Sequence, residues 1–301
     1  MDKTHLFPFT YHEGMQLSYH EPKKKLFIDI KLMFERNQLQ PEDTAILHML
    51  QKYCYMNAYL IRMILNQQMQ ECTQNYCSKH LKKLEELGLV KRFQFIYTIG
   101  GNKRGTPFVY ELTAKAKKLF RVKENSFDQD NLDINKILSL LSFNQFHIMF
   151  EKQMSTSLLH SSYHFDSYSD GMYKFMSNGK PVIFYLFTIR SHVGWKEKFL
   201  ERLRKLKAHI EQNMMTYSGI IVVCENEMQS LAAERYRMSD ETLRTADIYY
   251  MCDYAAVTEG YILQYLINVL PDNNYSTYNI LKVPVDGNIF INVSTEDVKN
   301  D

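Results

Sequence analysis

Basic and amide side chains are concentrated between residues 74 and 104. Lysine and arginine neutralise DNA phosphates, which gives affinity without sequence choice, whereas glutamine and asparagine can hydrogen-bond to adenine edges in the major groove. This segment therefore has the residue types that a DNA-binding surface needs. The alternatives are a solvated helix face and a module that binds protein. The candidate DNA-binding residues are Gln74, Asn75, Ser78, Lys79, His80, Lys82, Lys83, Lys91, Arg92, Lys103 and Arg104.

Metal-binding and cofactor-binding patterns are weak elsewhere in the chain. His160, His164 and Asp166 could bind a metal only if a regular strand placed them on one face, so a polar strand surface is the preferred interpretation. The five cysteines form no CxxC pair, which favours a reduced, cytosolic protein over a disulfide framework or a zinc module. The sequence has none of the motifs GxxxxGK[ST], GxGxxG and GxSxG. We therefore predict no metal and no cofactor.

The net charge of +2 hides two parts of opposite sign. Residues 1–125 contain 20 Lys or Arg and 12 Asp or Glu, a net charge of +8, whereas residues 126–301 contain 16 and 22, a net charge of −6. A polyanionic partner should therefore meet the first part. The N-terminus has no signal-peptide pattern and the apolar runs are too short to span a bilayer, so we expect a cytoplasmic protein with no membrane contact.

The basic segment lies within a pattern of three helices and a hairpin. Helical spacing of apolar residues predicts helices over 41–57, from Asn57 onward and over 74–90, with Gly88 ending the third. Two β-like runs, 89–99 and 106–112, flank the turn GGNKRG, and a helix over 112–122 follows. This order predicts a winged helix-turn-helix over 41–124, with the third helix in the major groove and the hairpin as the wing. Residues 1–40 are set apart as an N-terminal extension.

A second domain of α/β type is predicted over 134–301, after a polar linker at 125–133. We expect helices over 134–159, 194–215, 227–238 and 257–270, and β-strands over 163–169, 171–177, 181–190, 219–226, 247–254 and 288–293. The Asn-Gly pair within SNGK at 177–180 is a strong hairpin signal between two of these strands. The fold class is thus α/β overall, with a winged helix-turn-helix in front.

Several segments together resemble the bacterial replication-relaxation family, over about two thirds of the chain. In the first part they are the block from Asp43 to Leu119, with its LxxLxxLGLVKR helix exit and its YELTAKAKKL run. In the second part they are Phe146-His147, Ser169-Asp170-Gly171, the strand to Arg190 and the helix with Lys205 to His209. The resemblance implies a winged helix joined to a degenerate restriction-endonuclease-like domain, and it implies DNA binding without a defined reaction.

The nuclease hypothesis depends on Asp170. An active restriction-like site needs an Asp on one strand and Asp/Glu-x-Lys on the next, because paired carboxylates hold Mg²⁺. The strand from Phe184 to Arg190 contains no acidic residue, so Asp170 lacks its second carboxylate. We therefore predict no catalytic residue, with a Mg²⁺-dependent nuclease or nickase using Asp170 as the alternative.

We expect a sequence-specific DNA-binding protein of a bacterial plasmid or other mobile element, regulating transcription or replication. A homodimer is expected because two-fold dimers read two half-sites. The acidic second domain would provide dimerisation or bind a protein partner. A plasmid replication initiator is a further alternative.

Overall fold

The chain forms two compact units, residues 1–144 and 145–301, in a computed structural model. The boundary between the units falls within one helix. The structure describes positions 9–20, 22, 28, 31–32, 36, 39–68, 72–120, 133–154, 158–163, 168–177, 179–213, 217–253, 266–271 and 276–281.

Unit 1 contains five strands and four complete helices among its described residues, and it also contains the first half of a fifth helix, α5. In chain order the complete elements are β1 (Gln16–His20), α1 (Pro41–Tyr53), β2 (Met56–Asn57), α2 (Ala58–Gln68), α3 (Gln74–Glu86), β3 (Val90–Ile99), β4 (Asn102–Gly105), β5 (Val109–Leu112) and α4 (Ala114–Leu119).

Local signals account for the ends of these helices. Pro41 occupies the start of α1, and the Asp43 carboxylate accepts a hydrogen bond from the Gln40 N–H at 2.9 Å. The Thr73 hydroxyl accepts one from the Tyr76 N–H at 3.2 Å and caps α3. Gly88 has φ +72° after α3, which confirms the predicted left-handed ending.

The sheet of unit 1 has the strand order β1–β3–β5–β2, and β4 pairs with the distal end of β3. Strand β1 is antiparallel to β3, with a register that runs from Gln16 opposite Ile96 to His20 opposite Arg92. Phe9 and Met15 are buried. The sheet therefore begins inside the segment set apart from the sequence as residues 1–40. Most of residues 23–37 of this segment lie outside the described residues.

Unit 2 begins within the fifth helix of the chain, α5 (Ile134–Gln153). The other elements are β6 (Leu158–Tyr163), β7 (Gly171–Ser177), β8 (Lys180–Thr188), α6 (Trp195–Gln212), β9 (Gly219–Cys224), α7 (Glu227–Ser239), β10 (Ile248–Cys252), β11 (Leu266–Pro271) and β12 (Ser276–Leu281). Most of the predicted linker, 125–132, lies outside the described residues.

The sheet of unit 2 runs β12–β11–β10–β9–β8–β7–β6. Its centre, β8–β9–β10, is parallel, and the flanking strands are antiparallel. Helices α6 and α7 share one core with β8, β9 and β10. On β7, Tyr173 and Phe175 contact the ring of Phe150 in α5, whereas Met172 packs against the α6–α7 core. Because side chains alternate along a strand, α5 covers the opposite face of the sheet. The predicted α/β class is confirmed as a mixed α/β protein with two sheets.

Two predictions in unit 2 need correction, and one strand of the tail, β12, was not predicted. The helix predicted over 257–270 is wrong at its end, since 266–271 form β11, paired with β10 and β12. The strand predicted over 163–169 coincides with β6 at Tyr163 but not at 168–169, which form a bend, and 164–167 lie outside the described residues. At 266–271 the hydrogen bonds of the sheet outweigh a short and ambiguous apolar pattern. The strand predicted at 288–293 lies outside the described residues.

None of the helices in the described ranges is both long enough and apolar enough to cross a membrane.

Candidate functional site

Helix α3 presents one polar face to solvent. Five of the predicted DNA-binding residues lie on it and are exposed: Gln74, Asn75, Ser78, Lys79 and Lys82. Their spacing of four residues (74, 78, 82 and 75, 79) places them in adjacent rows of one helix surface. We call this set the outer face of α3.

The two lysines of the outer face, Lys79 and Lys82, form no salt bridge within the described part of the chain. Their charges are therefore available to an external anion rather than balanced inside the protein.

The opposite side of α3, its inner face, is bound to the first turn of α1. The Tyr76 hydroxyl donates to Glu42 at 2.7 Å, and the His80 ring is hydrogen-bonded through Nδ1 to Asp43 Oδ1 at 2.7 Å. The Lys83 ammonium pairs with Asp43 Oδ2. Residues 76, 80 and 83 share one face at spacings of four and three residues, so three contacts fix α3 against α1.

Asp43 is the centre of this contact and is fully buried. Burial tends to raise the pKa of the Asp43 carboxyl, but hydrogen bonds from Lys83 and His80 outweigh it and hold the pKa below its usual value. His80 is itself only 4% exposed. The prediction that His80 contacts DNA is therefore corrected, because its ring lies in the interior and binds Asp43.

The hairpin β3–β4 carries two more predicted residues. Gly100 and Gly101 have positive φ angles of 56° and 78° and form the tight connection between the strands. Lys103 and Arg104 lie opposite Thr98 and Tyr97. Both cations are exposed, and no carboxylate pairs with either one among the described residues. The tip of the hairpin is thus a second cationic surface.

Lys91 and Arg92, at the base of the hairpin, are already engaged. Lys91 pairs with the buried Glu111 at 3.2 Å and lies over the Tyr19 ring at 4.9 Å. Arg92 pairs with Glu85 at 3.2 Å and lies over the Phe108 ring at 4.4 Å. The structure brings these two predicted residues into internal contacts rather than into the outer face of α3 or the hairpin tip.

Asp170, the predicted weak catalytic candidate, is buried at the start of β7 and bonded through both carboxylate oxygens. Its Oδ2 accepts hydrogen bonds from the Thr188 N–H at 2.6 Å and from the Thr188 hydroxyl at 2.8 Å. Its Oδ1 accepts one from Arg202 at 2.5 Å. The partners of Asp170 are thus a threonine and an arginine, and the arginine balances the charge of the carboxylate. This arrangement suits a structural carboxylate better than a Mg²⁺ ligand.

Arg190 lies two residues after the end of β8. It is fully buried and pairs with Asp253 at 2.9 Å. Gln145 donates to the backbone carbonyl of Asp253 at 3.2 Å. These contacts join the ends of β8 and β10 to α5. Arg190 therefore has a structural role inside unit 2, where it connects the end of β8 to the end of β10.

The predicted metal candidates remain without structural support. No cluster of three or more His, Cys, Asp or Glu side chains suited to a metal occurs within the described ranges. His160 lies on β6, whereas His164 and Asp166 lie outside the described residues. Cys72 and Cys77 are both buried, and burial raises the pKa of the Cys77 thiol to about 12.

Sequence reasoning missed the acidic partners of α3. These partners are Glu42 and Asp43, and the sequence did not connect Thr188 and Arg202 with Asp170 either. A signal existed for α3, because Tyr76, His80 and Lys83 repeat at the spacing of one face. His12 was also missed, and its ring stacks on Tyr97 of β3 with centroids 4.2 Å apart.

Comparison with known proteins assigns this chain to no family. No family model matches the chain, and no curated protein matches it. Among solved structures, restriction endonuclease FokI and its complex with DNA align at 11% identity with TM-scores of 0.24 and 0.25. The alignments cover 72% of this chain but only 42% and 43% of those chains, so the present chain spans less than half of their length. Similarity this low supports no inference about fold or function.

Proposed function

We propose that unit 1 is a winged helix-turn-helix that binds double-stranded DNA, with α3 in the major groove and the β3–β4 hairpin as the wing. The observation that carries the proposal is the division of α3 into two faces. The inner face is bound to Glu42 and Asp43, whereas the outer face presents amides beside Lys79 and Lys82, for which the described residues supply no ion pair. The order of helices and strands in unit 1 is also the order that a winged helix requires.

The residue types on the two surfaces suggest which side chains would contact phosphates and which would contact bases. Lys79, Lys82, Lys103 and Arg104 would neutralise backbone phosphates, which supplies affinity but no sequence choice. Gln74 and Asn75, in the first turn of α3, would hydrogen-bond to base edges. Lys83, Lys91 and Arg92 would contribute less, because each already balances a carboxylate.

We further propose that the chain is a cytoplasmic, sequence-specific regulator of transcription or replication on a bacterial plasmid or mobile element, and that it binds DNA as a homodimer. Unit 2 would supply dimerisation or a protein contact. Its order of elements, α5–β6–β7–β8–α6–β9, follows the family resemblance and supports a restriction-endonuclease-like fold.

The test is a titration of labelled duplex DNA against the full chain over a series of salt concentrations. We expect the logarithm of the affinity to fall linearly with the logarithm of salt concentration, since phosphate contacts release counterions. The double variant Lys79→Glu/Lys82→Glu should lose at least about tenfold in affinity. The matched control is Lys180→Glu/Lys198→Glu, which makes the same charge change at two exposed lysines of unit 2. Equal losses in the two variants would refute the role of α3.

A nuclease using Asp170 ranks below this proposal, because both oxygens of that carboxylate are bonded to Thr188 and Arg202. Supercoiled plasmid incubated with the protein and Mg²⁺ or Mn²⁺ should stay intact. Cleavage that disappears in Asp170→Asn would reverse the ranking.

A further inference from the structure

The connection between α1 and β2 is a strained three-residue turn. Cys54 has φ 61° and ψ −56°, and it is the one non-glycine residue with a positive φ in the described part of the chain. The Tyr55 N–H donates to the Tyr53 carbonyl across it at 2.6 Å. These angles and this bond define the rarer form of the γ-turn, which an L-amino acid adopts only at a conformational cost.

A single side chain bonds both ends of this turn. Nδ2 of Asn144, a fully buried residue in α5, donates to the Tyr53 carbonyl at 2.9 Å and to the Tyr55 carbonyl at 2.8 Å. An amide nitrogen has two hydrogens, so both are used on the two carbonyls that flank Cys54. A strained backbone persists only where its surroundings hold it, and Asn144 is placed to do so.

The turn lies between the elements that set the proposed DNA-binding surfaces. Before it, α1 carries Asp43, to which the inner face of α3 is bound. After it, Tyr55 packs against the Phe93 ring of β3 with centroids 5.8 Å apart, and Met56 pairs with Tyr110 of β5. The backbone angles at Cys54 thus fix the direction of α1 relative to the hairpin strands.

We propose that Asn144 is a positioning residue that locks the Cys54 turn in its strained form and thereby sets α3 relative to the hairpin. The effect on DNA rests on the proposed function, whereas the lock itself does not. Without Asn144 the two carbonyls lose their donor and the turn relaxes. Helix α1 then shifts, and α3 shifts with it through Asp43.

The test is a double-mutant cycle on the full chain. Asn144→Leu keeps the size of the side chain and removes the donors, while Cys54→Gly removes the strain because glycine adopts positive φ freely. Cys54→Ala is the matched control, since it removes the thiol but keeps the β-carbon that causes the strain. By thermal unfolding, the loss caused by Asn144→Leu should be clearly larger in the Cys54→Gly background than in the Cys54→Ala background, because only the strained turn gains by relaxing and this relief offsets part of the lost hydrogen bonds. Equal losses in the two backgrounds would overturn the proposal.

A second readout is DNA affinity at a temperature where every variant is folded. We expect Asn144→Leu to lower affinity by about tenfold, and Cys54→Gly to restore part of it while Cys54→Ala does not. A folded Asn144→Leu with wild-type affinity would overturn the positioning role. If the wild-type chain binds no DNA, the proposed function fails, and the unfolding cycle still decides whether Asn144 locks the turn.

Discussion

Helices α3 and α6 are both rich in basic residues, but they use them in different ways. Four of the six cations of α6 pair with carboxylates, with closest N–O distances of 2.5, 2.6, 2.6 and 3.8 Å. A fifth, Lys196, lies over the Tyr236 ring at 4.3 Å. Of the three lysines of α3, only Lys83 has a carboxylate partner among the described residues, and that partner is buried. The paired cations of α6 are Arg202, Arg204, Lys205 and Lys207.

The difference shows that the number of basic residues is a poor guide to a DNA-binding surface. A cation that already binds a carboxylate must give up that contact before it can bind a phosphate, whereas Lys79 and Lys82 give up only water. Paired cations should therefore matter for stability, and unpaired cations for association with a polyanion. This contrast makes predictions that can be checked one helix at a time.

The largest effect is expected at Arg202 of α6. Arg202→Gln would leave the buried Asp170 carboxylate without its cation, and removal of one partner from a buried pair should cost roughly 3 kcal/mol of unfolding free energy. The control is Lys198→Gln on the same helix, where no ion pair is described, with an expected change below about 0.5 kcal/mol. Urea unfolding measures both. Similar losses of unfolding free energy in the two variants would show that ion pairing does not determine which cations of α6 stabilise the fold.

A smaller loss is expected at Asp43, where the proposed DNA-binding helix is attached. Asp43→Asn should cost about 2 kcal/mol, as for a charged hydrogen bond in a buried site. Because the pKa of Asp43 is lowered in the folded state, its contribution is complete above the ordinary carboxyl pKa and is lost as the pH falls through the lower, folded value.

The difference in unfolding free energy between wild type and Asp43→Asn should therefore be constant near neutral pH and shrink below about pH 4. Glu42→Gln is the control at the neighbouring, partly exposed position, where the carboxylate accepts a hydrogen bond from Tyr76. It should show a smaller loss. A pH-independent difference for Asp43→Asn would mean that the charge of Asp43 does not hold α3.

The sequence was sufficient for several local features of unit 1, although it did not predict the strands β1, β2 and β4. The acidic start of α1, the helical spacing in α3, Gly88 and the glycine-rich turn before Lys103 all act within a few residues. These signals work because caps and turns are local physical devices. The same holds for the hairpin at Gly179 in unit 2, which has φ +71°.

Local signals of this kind could not predict which cations form ion pairs, because the contacts that decide it are distant in sequence. Asp43 meets His80 and Lys83 across 37 and 40 residues, and β1 pairs with β3 across an even longer separation. The helical spacing groups Lys83 with Tyr76 and His80 and separates it from Lys82, but it does not show that a buried carboxylate lies against that face. The error at 266–271 has the same origin, since neighbouring strands decide the state of a short apolar run.

The smallest expected effect is at the hairpin tip. It tests whether cations outside α3 that have no described carboxylate partner also contact DNA. Lys103→Ala/Arg104→Ala should leave the unfolding free energy almost unchanged, because both side chains are exposed and no ion pair is described for them. It should lower the slope of log affinity against log salt by about 1.8, the value for two lost phosphate contacts. The matched control, Lys205→Ala/Lys207→Ala on α6, removes two cations that have carboxylate partners and should leave the slope unchanged. If both variants change the slope equally, the pairing of a cation does not predict its contact with DNA, and the proposed wing loses its support.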